Sequence, residues 1–210
     1  MRFPVQKKPL RTILQWAQHL FFAGAVLLLG YCGFVVSDAW VFQHLENRDL
    51  QRQLADHHTA GEALQFRPAA STPGPAAIAA SGLIGRLEIP RLELSAVVIQ
   101  GDDSKTLRRA VGHVPGTPLP GQIGNVALTG HRDTFFRPLR NIRPNDIIVV
   151  TTLQGVYRYR VVSTRVVSPD NVTVLKAIER EMLTLVTCYP FYFVGPAPER
   201  FIVRAERLGG

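Results

Sequence analysis

Cys188 and His131 are the two side chains of this 210-residue chain whose pairing would give a thiol nucleophile and an imidazole acid–base. Cys188 closes the apolar, β-branched run Leu183–Thr187 and is followed by Tyr189-Pro190. Proline cannot continue a central ladder, so the thiol is expected at a strand end. His131 stands in a matching place, just after Asn125-Val-Ala-Leu-Thr-Gly130. Two strand ends, each delivering half of a thiol–imidazole pair, is a layout that nucleophilic cysteine catalysis can use. Arg200 opens the final strand-like run after the turn-rich Val194-Gly-Pro-Ala-Pro198. Its guanidinium, always charged and rich in donors, can hold a carbonyl oxygen as that oxygen gains charge. Taken singly, a cysteine at a strand end is more often a small buried residue, and a histidine is more often structural.

Nearby polar residues are secondary candidates. Asp133 follows His131 by two and so shares its side of an extended chain; it could orient a ring or pair with Arg132 or Arg137. Thr187 faces away from Cys188 on a regular strand, but a local bend would let its hydroxyl line a groove. His113, in the Gly/Pro-rich stretch Val111–Gly121, is a candidate substrate contact. No Cys/His or Asp/Glu cluster has zinc spacing, so no metal or other cofactor is expected. Asp102-Asp103 could join a surface cation site, although adjacent acids are usually just solvated.

The elements that must position these residues are mostly short strands. Gly85–Ile89, Leu92–Val98, Asn125–Thr129, Ile147–Thr152, Val156–Val162, Leu183–Thr187 and Phe201–Ala205 alternate or are β-branched. Brief helical patches are expected over Ser104–Arg109, Phe135–Leu139 and Val174–Arg180. Many short strands with few helices predict a closed β-barrel or a sandwich.

Ahead of these strands, Thr12 to Ser37 is a run of 26 residues without a charged side chain, and about 20 apolar residues suffice to cross a bilayer core. Arg2, Lys7, Lys8 and Arg11 precede it with no acid to balance them. The positive-inside rule therefore keeps the N-terminus in the cytoplasm and the remainder outside. The competing reading is a cleaved signal peptide, but the apolar stretch is longer than a usual signal core and is flanked by Trp16 and Trp40. The expected organisation is a basic tail (1–11), a transmembrane anchor (12–37), a helical stalk and Ala/Pro-rich spacer (38–82), and a catalytic domain (83–210). Cys32 falls inside the apolar run, which leaves Cys188 as a lone thiol outside the membrane. The net charge is +8, with 17 Lys/Arg against 11 Asp/Glu in residues 82–210. Those cations are dispersed and lack interleaved aromatics, which argues against nucleic acid and for an anionic membrane or wall as neighbour.

The strings Leu128-Thr-Gly-His-Arg-Asp-Thr-Phe-Phe136 and Leu183-Thr-Leu-Val-Thr-Cys-Tyr-Pro-Phe191 resemble the sortase family, most closely its class D. Sortases carry a Thr-Leu-x-Thr-Cys strand, a Gly-His block before it and an arginine about a dozen residues after the cysteine, which Arg200 matches. The resemblance covers roughly residues 83–206. It implies an eight-stranded barrel behind an N-terminal anchor, and a cysteine transpeptidase acting on exported proteins with a C-terminal LPxT-like sorting signal. Under it, Cys188 attacks the peptide bond after the signal's threonine, and His131 serves as acid and then base. Arg200, with the backbone N–H of Tyr189, stabilises the oxyanion. The implied acceptor is an amine, either a cell-wall peptide or a pilin-like lysine. Competing expectations are a wall cross-linking L,D-transpeptidase, whose Ser-x-Gly-Cys motif is not matched by Leu-Val-Thr-Cys, and a membrane-tethered, non-enzymatic β-barrel adaptor.

Overall fold

The structure is a computed structural model and describes residues 8–62, 78, 82–193 and 195–209. The chain divides into two units, residues 1–41 and 42–210. Helix α1 (Lys8–Glu62) carries the apolar run. Its stretch Ile13–Phe34 is long and apolar enough to cross a membrane, and none of it is buried. Leu20, Phe21, Phe22, Leu27 and Leu29 are all exposed. A helix that is apolar all round and covered by nothing suits a lipid surroundings or an export signal. The expected stalk falls on the later part of α1, whereas the Ala/Pro-rich spacer lies almost wholly outside the described residues.

The second unit holds eight strands: β1 (Leu83–Ile89), β2 (Leu94–Gln100), β3 (Val111–His113), β4 (Gly124–Thr129), β5 (Ile147–Thr152), β6 (Gly155–Val167), β7 (Glu181–Tyr189) and β8 (Glu199–Arg207). They close a barrel in the order β1-β2-β3-β4-β7-β8-β6-β5. β2–β3 and β4–β7 pair in parallel and the other neighbours antiparallel. Closure leaves no free sheet edge, which suits strands this short.

Alternate residues fill the barrel: Val126 and Leu128 from β4, Leu183 and Leu185 from β7, and Val203 and Ala205 from β8 all belong to the central core, with Tyr157, Tyr159 and Phe136. The period of two turns Asn125, Ala127 and Thr129, Thr184 and Val186, and Ile202 and Arg204 to the opposite face. The parallel β4–β7 pairing requires a long crossover, and its last part is the 3-10 turn Val172–Leu175.

Seven strands match the sequence expectation in place, and helix α2 (Ser104–Arg109) matches in both ends. Its N-cap, Asp103, accepts from the backbone N–H groups of Lys105 and Thr106, so this acid caps a helix. Three expectations fail. The eighth strand, β3, lies in the Gly/Pro-rich stretch Val111–Gly121, for which the sequence predicts no strand: three residues that include Gly112 carry no periodicity, and only pairing with β2 and β4 makes them a strand. The helical patch expected over Phe135–Leu139 is a 3-10 turn at Arg137–Asn141. The patch expected over Val174–Arg180 is replaced by the turn Val172–Leu175. The carbonyl of Val174 accepts from Asn125 Nδ2 (2.9 Å) and Arg204 Nη2 (2.9 Å), which favours those partners over an amide four residues on.

Candidate active site

The site is assembled by three neighbouring strands. The parallel register pairs Gly124 with Glu181 and Thr129 with Val186. Continued two residues further, the same offset brings His131 level with Cys188 on the adjacent strand. The continuation is real for at least one residue, since the Gly130 N–H donates to the Val186 carbonyl at 3.2 Å. On the other side of β7, the antiparallel register places Arg200 directly opposite Cys188. Parallel neighbours lie about 4.8 Å apart and directly paired antiparallel residues about 4.5–5.5 Å. Cys188 on β7 and Arg200 on β8 are thus a direct pair, and His131, two residues past the end of β4, lies on the line that continues the register to Cys188.

The three residues open onto a groove of about 440 Å³ on the outer face of the barrel. His131, Cys188 and Arg200 all line it, with Thr129, Val186 and Ile202 from the strands beneath and Val172, Val174 and Leu175 from the crossover above. The roof is held by buried polar residues. Thr184 donates to Asn125 Oδ1 (2.6 Å), and Asn125 Nδ2 in turn donates to the Val174 carbonyl. Arg204, opposite Thr184 in the ladder, also reaches Val174. It stands four residues from Arg200, about 13 Å along the strand, and is not in the groove lining.

His131 is fixed through its backbone. Its carbonyl accepts from the Phe136 N–H at 3.0 Å, and the buried Phe136 ring lies against Gly130. A Cβ at Gly130 would sit 3.0–3.2 Å from three ring carbons, a contact so tight that the buried ring would have to give way by a few tenths of an ångström. Arg200 Nη1 donates to the carbonyls of Ala197 (3.2 Å) and Glu199 (3.0 Å), which leaves Nε and Nη2 as the donors not committed to those carbonyls.

The secondary candidates separate. Thr187 borders the groove, but its buried hydroxyl donates to the Gly130 carbonyl at 2.7 Å and so ties β7 to the residue before His131. The ring of Tyr189 stacks on Phe201, with centroids 6.2 Å apart, outside the groove lining. Asp133 is exposed and away from the groove. Its expected partner Arg132 donates instead to the carbonyls of Pro190, Phe193 and Gly195. His113 is corrected outright as a substrate contact. It is 2% exposed on β3, with Nδ1 2.8 Å from Gln100 Oε1 and Nε2 3.0 Å from the Pro118 carbonyl. Burial pushes its pKa down, the direction expected of a desolvated imidazole.

Sequence reasoning missed the roof network, although Asn125 within an otherwise apolar strand was a visible signal. Asp102, read from sequence only as a solvated acid or cation-site candidate, borders the groove from the β2–α2 region together with Leu107, to which nothing local pointed.

Among known proteins, residues 87–208 match a family model described as the sortase domain. The chain is 35% identical over 125 residues to Sortase D of Bacillus subtilis, covering 59% of this chain and 63% of that protein. It is 34% identical over 123 residues to Sortase SrtE1 of Streptomyces coelicolor, covering 50% of this chain and 35% of that one. The chain thus spans less than two thirds of the length of either relative. Among solved structures, Sortase A from Corynebacterium diphtheriae is similar at a TM-score of 0.57 and 28% identity, over 60% of this chain and 61% of that one.

Proposed function

Because this chain belongs to the sortase family, we propose that it is a membrane-anchored cysteine transpeptidase that cleaves an LPxT-like sorting signal and passes the acyl group to an amine. The observation that carries the reading is that His131, just past the end of β4, and the paired Cys188 and Arg200 on β7 and β8 all line one groove. A groove lined by Val172, Val174, Leu175, Val186 and Ile202 as well as by the thiol, imidazole and guanidinium suits an extended peptide whose apolar residues are buried and whose scissile carbonyl reaches the thiol.

In the proposed reaction the Cys188 thiolate attacks the carbonyl carbon after the threonine. Negative charge moves onto the oxygen, where Arg200 and the Tyr189 backbone N–H donate to it. Collapse breaks the C–N bond, His131 gives a proton to the departing amine, and a thioester to Cys188 remains. An incoming amine loses a proton to His131, attacks the thioester and releases the thiolate. Atoms balance: one amide is exchanged for another, and no external oxidant or reductant is required.

Helix α1 is then the anchor, with the basic N-terminal tail in the cytoplasm and the barrel outside, where exported substrates are met. The acceptor amine is a cell-wall peptide or a pilin-like lysine.

The test incubates the full-length protein in detergent with a library of Leu-Pro-x-Thr-x peptides and assorted amines, reading acyl-enzyme and product by mass spectrometry. A thioester on Cys188 that an amine resolves is the expected result. A Cys188 that alkylates only after unfolding, with no acyl-enzyme from any peptide, would instead favour an inert adaptor.

A further inference from the structure

Arg132 follows His131 in the chain, yet its guanidinium is turned away from the groove. Nη1 donates to the Pro190 carbonyl at 3.0 Å, and Nη2 donates to the carbonyls of Phe193 (2.7 Å) and Gly195 (2.9 Å). The guanidinium also lies 5.9 Å from the centroid of the Phe193 ring. All three acceptors belong to the loop between β7 and β8. That loop, residues 190–198, starts two residues after Cys188 and stops two before Arg200, so a side chain next to His131 holds the segment that joins the other two candidate residues.

The base of the loop has other support. Phe191 packs edge-on against Phe201 at 5.3 Å and against Tyr189 at 6.0 Å. Its tip has little: Tyr192 and Phe193 are exposed, and Gly195 sits at φ +103°, a conformation that side-chain-bearing residues rarely adopt. Three charge-assisted bonds to main-chain carbonyls are strong compared with exposed ring contacts. The shape of this loop also reaches the site, because the Ala197 and Glu199 carbonyls fix Arg200 Nη1.

We infer that Arg132 is a positioning residue that clamps the β7–β8 loop to the His131 segment, and thereby sets His131 and Arg200 in register with Cys188. The role rests on the transpeptidase reading above. Arginine suits it because one planar fork can serve three acceptors at once, whereas an ammonium on a shorter stem cannot reach them in the same geometry.

The test compares full-length wild type, Arg132→Ala, Arg132→Lys and Arg140→Ala in detergent. Arg140 is the control because, among the described residues of the same loop, it meets the Tyr192 ring, 5.6 Å from its centroid, and donates to none of the three carbonyls that Arg132 holds. Hydrogen exchange of residues 190–198 is read together with kcat and KM for acylation by the best Leu-Pro-x-Thr-x peptide. Each kcat is normalised to the fraction of protein competent to form acyl-enzyme. Arg132→Ala is expected to speed exchange in the loop and to lower normalised kcat about 10–100-fold, as a displacement near 1 Å does, with KM changed little. Lysine should restore part of this, and Arg140→Ala should stay within about twofold of wild type, as an exposed ring contact implies. If alanine unfolds the barrel, the lysine variant carries the same comparison. Unchanged loop exchange in Arg132→Ala overturns the clamp. A loss confined to the competent fraction, with normalised kcat intact, reduces Arg132 to a structural residue and overturns the positioning role. Wild-type protein that forms no thioester with any peptide sinks the functional reading and the positioning role together, while loop exchange still reports whether the clamp exists.

Discussion

Replacing Arg200 by alanine separates oxyanion stabilisation from substrate docking. The ladder places Arg200 opposite Cys188, within about 5.5 Å between Cα atoms, so Nε and Nη2, which do not serve the Ala197 and Glu199 carbonyls, can reach an oxyanion formed at the thiol. A donor acting on charge that develops only in the transition state contributes about 2.7–4 kcal/mol, or about 10²–10³ in kcat. A docking cation, felt equally by ground and transition states, would raise KM and spare kcat. Little of the loss should come from unfolding, because the bonds given up go to part-buried loop carbonyls, and such bonds contribute about 0.5–1.5 kcal/mol each. Arg200→Lys should recover part of the rate, keeping the charge without the planar fork. Arg204→Ala is the internal control. Its Cα is about 13 Å further along the strand and its guanidinium engages the Val174 carbonyl, so its loss should loosen the groove roof and appear in KM. The measurement is steady-state acylation of peptide by each variant, with a thermal melt to verify folding. A raised KM with unchanged kcat in Arg200→Ala, or loss of turnover in Arg204→Ala alone, would refute the assignment.

Thr187→Val removes a donor from the buried Gly130 carbonyl, so calorimetry should show a loss of about 1–3 kcal/mol; Thr187→Ser should keep most of the stability, and a valine variant as stable as wild type would contradict this. Gly130→Ala forces a methyl against the buried Phe136 ring, which should cost about 1–3 kcal/mol and shift His131, so kcat should fall by more than the folded fraction measured by circular dichroism. The Asp146 carboxylate, buried and bonded to Arg91 and to the Arg143 N–H, is held below the usual carboxylate range chiefly by the Arg91 hydrogen bond. A depressed folded pKa means its stabilisation is complete above about pH 4 and disappears as pH falls through the lower folded value. Asp146→Asn should therefore lower Tm at neutral pH and flatten the acid limb of a Tm–pH profile; two parallel profiles would show that the carboxylate does not contribute to that limb.

The strands, the apolar helix and the strings around His131 and Cys188 were legible in the sequence because each is written locally. Val156–Val162 alternates, Ile13–Phe34 is apolar in composition, and the Thr-Gly-His and Thr-Leu-Val-Thr-Cys strings are contiguous. Strand partners and register are set by contacts far apart in sequence. Only the fold shows that β4 runs parallel to β7 with the offset that levels His131 with Cys188, or that Arg200 rather than Arg204 faces the thiol. β3 was illegible for the same reason, since three residues become a strand only through neighbours on both sides. Arg132 was read as a partner for an acid, yet its acceptors are main-chain carbonyls. Every residue carries a carbonyl, so no side-chain pattern could mark those three; the path of the loop between β7 and β8 selected them.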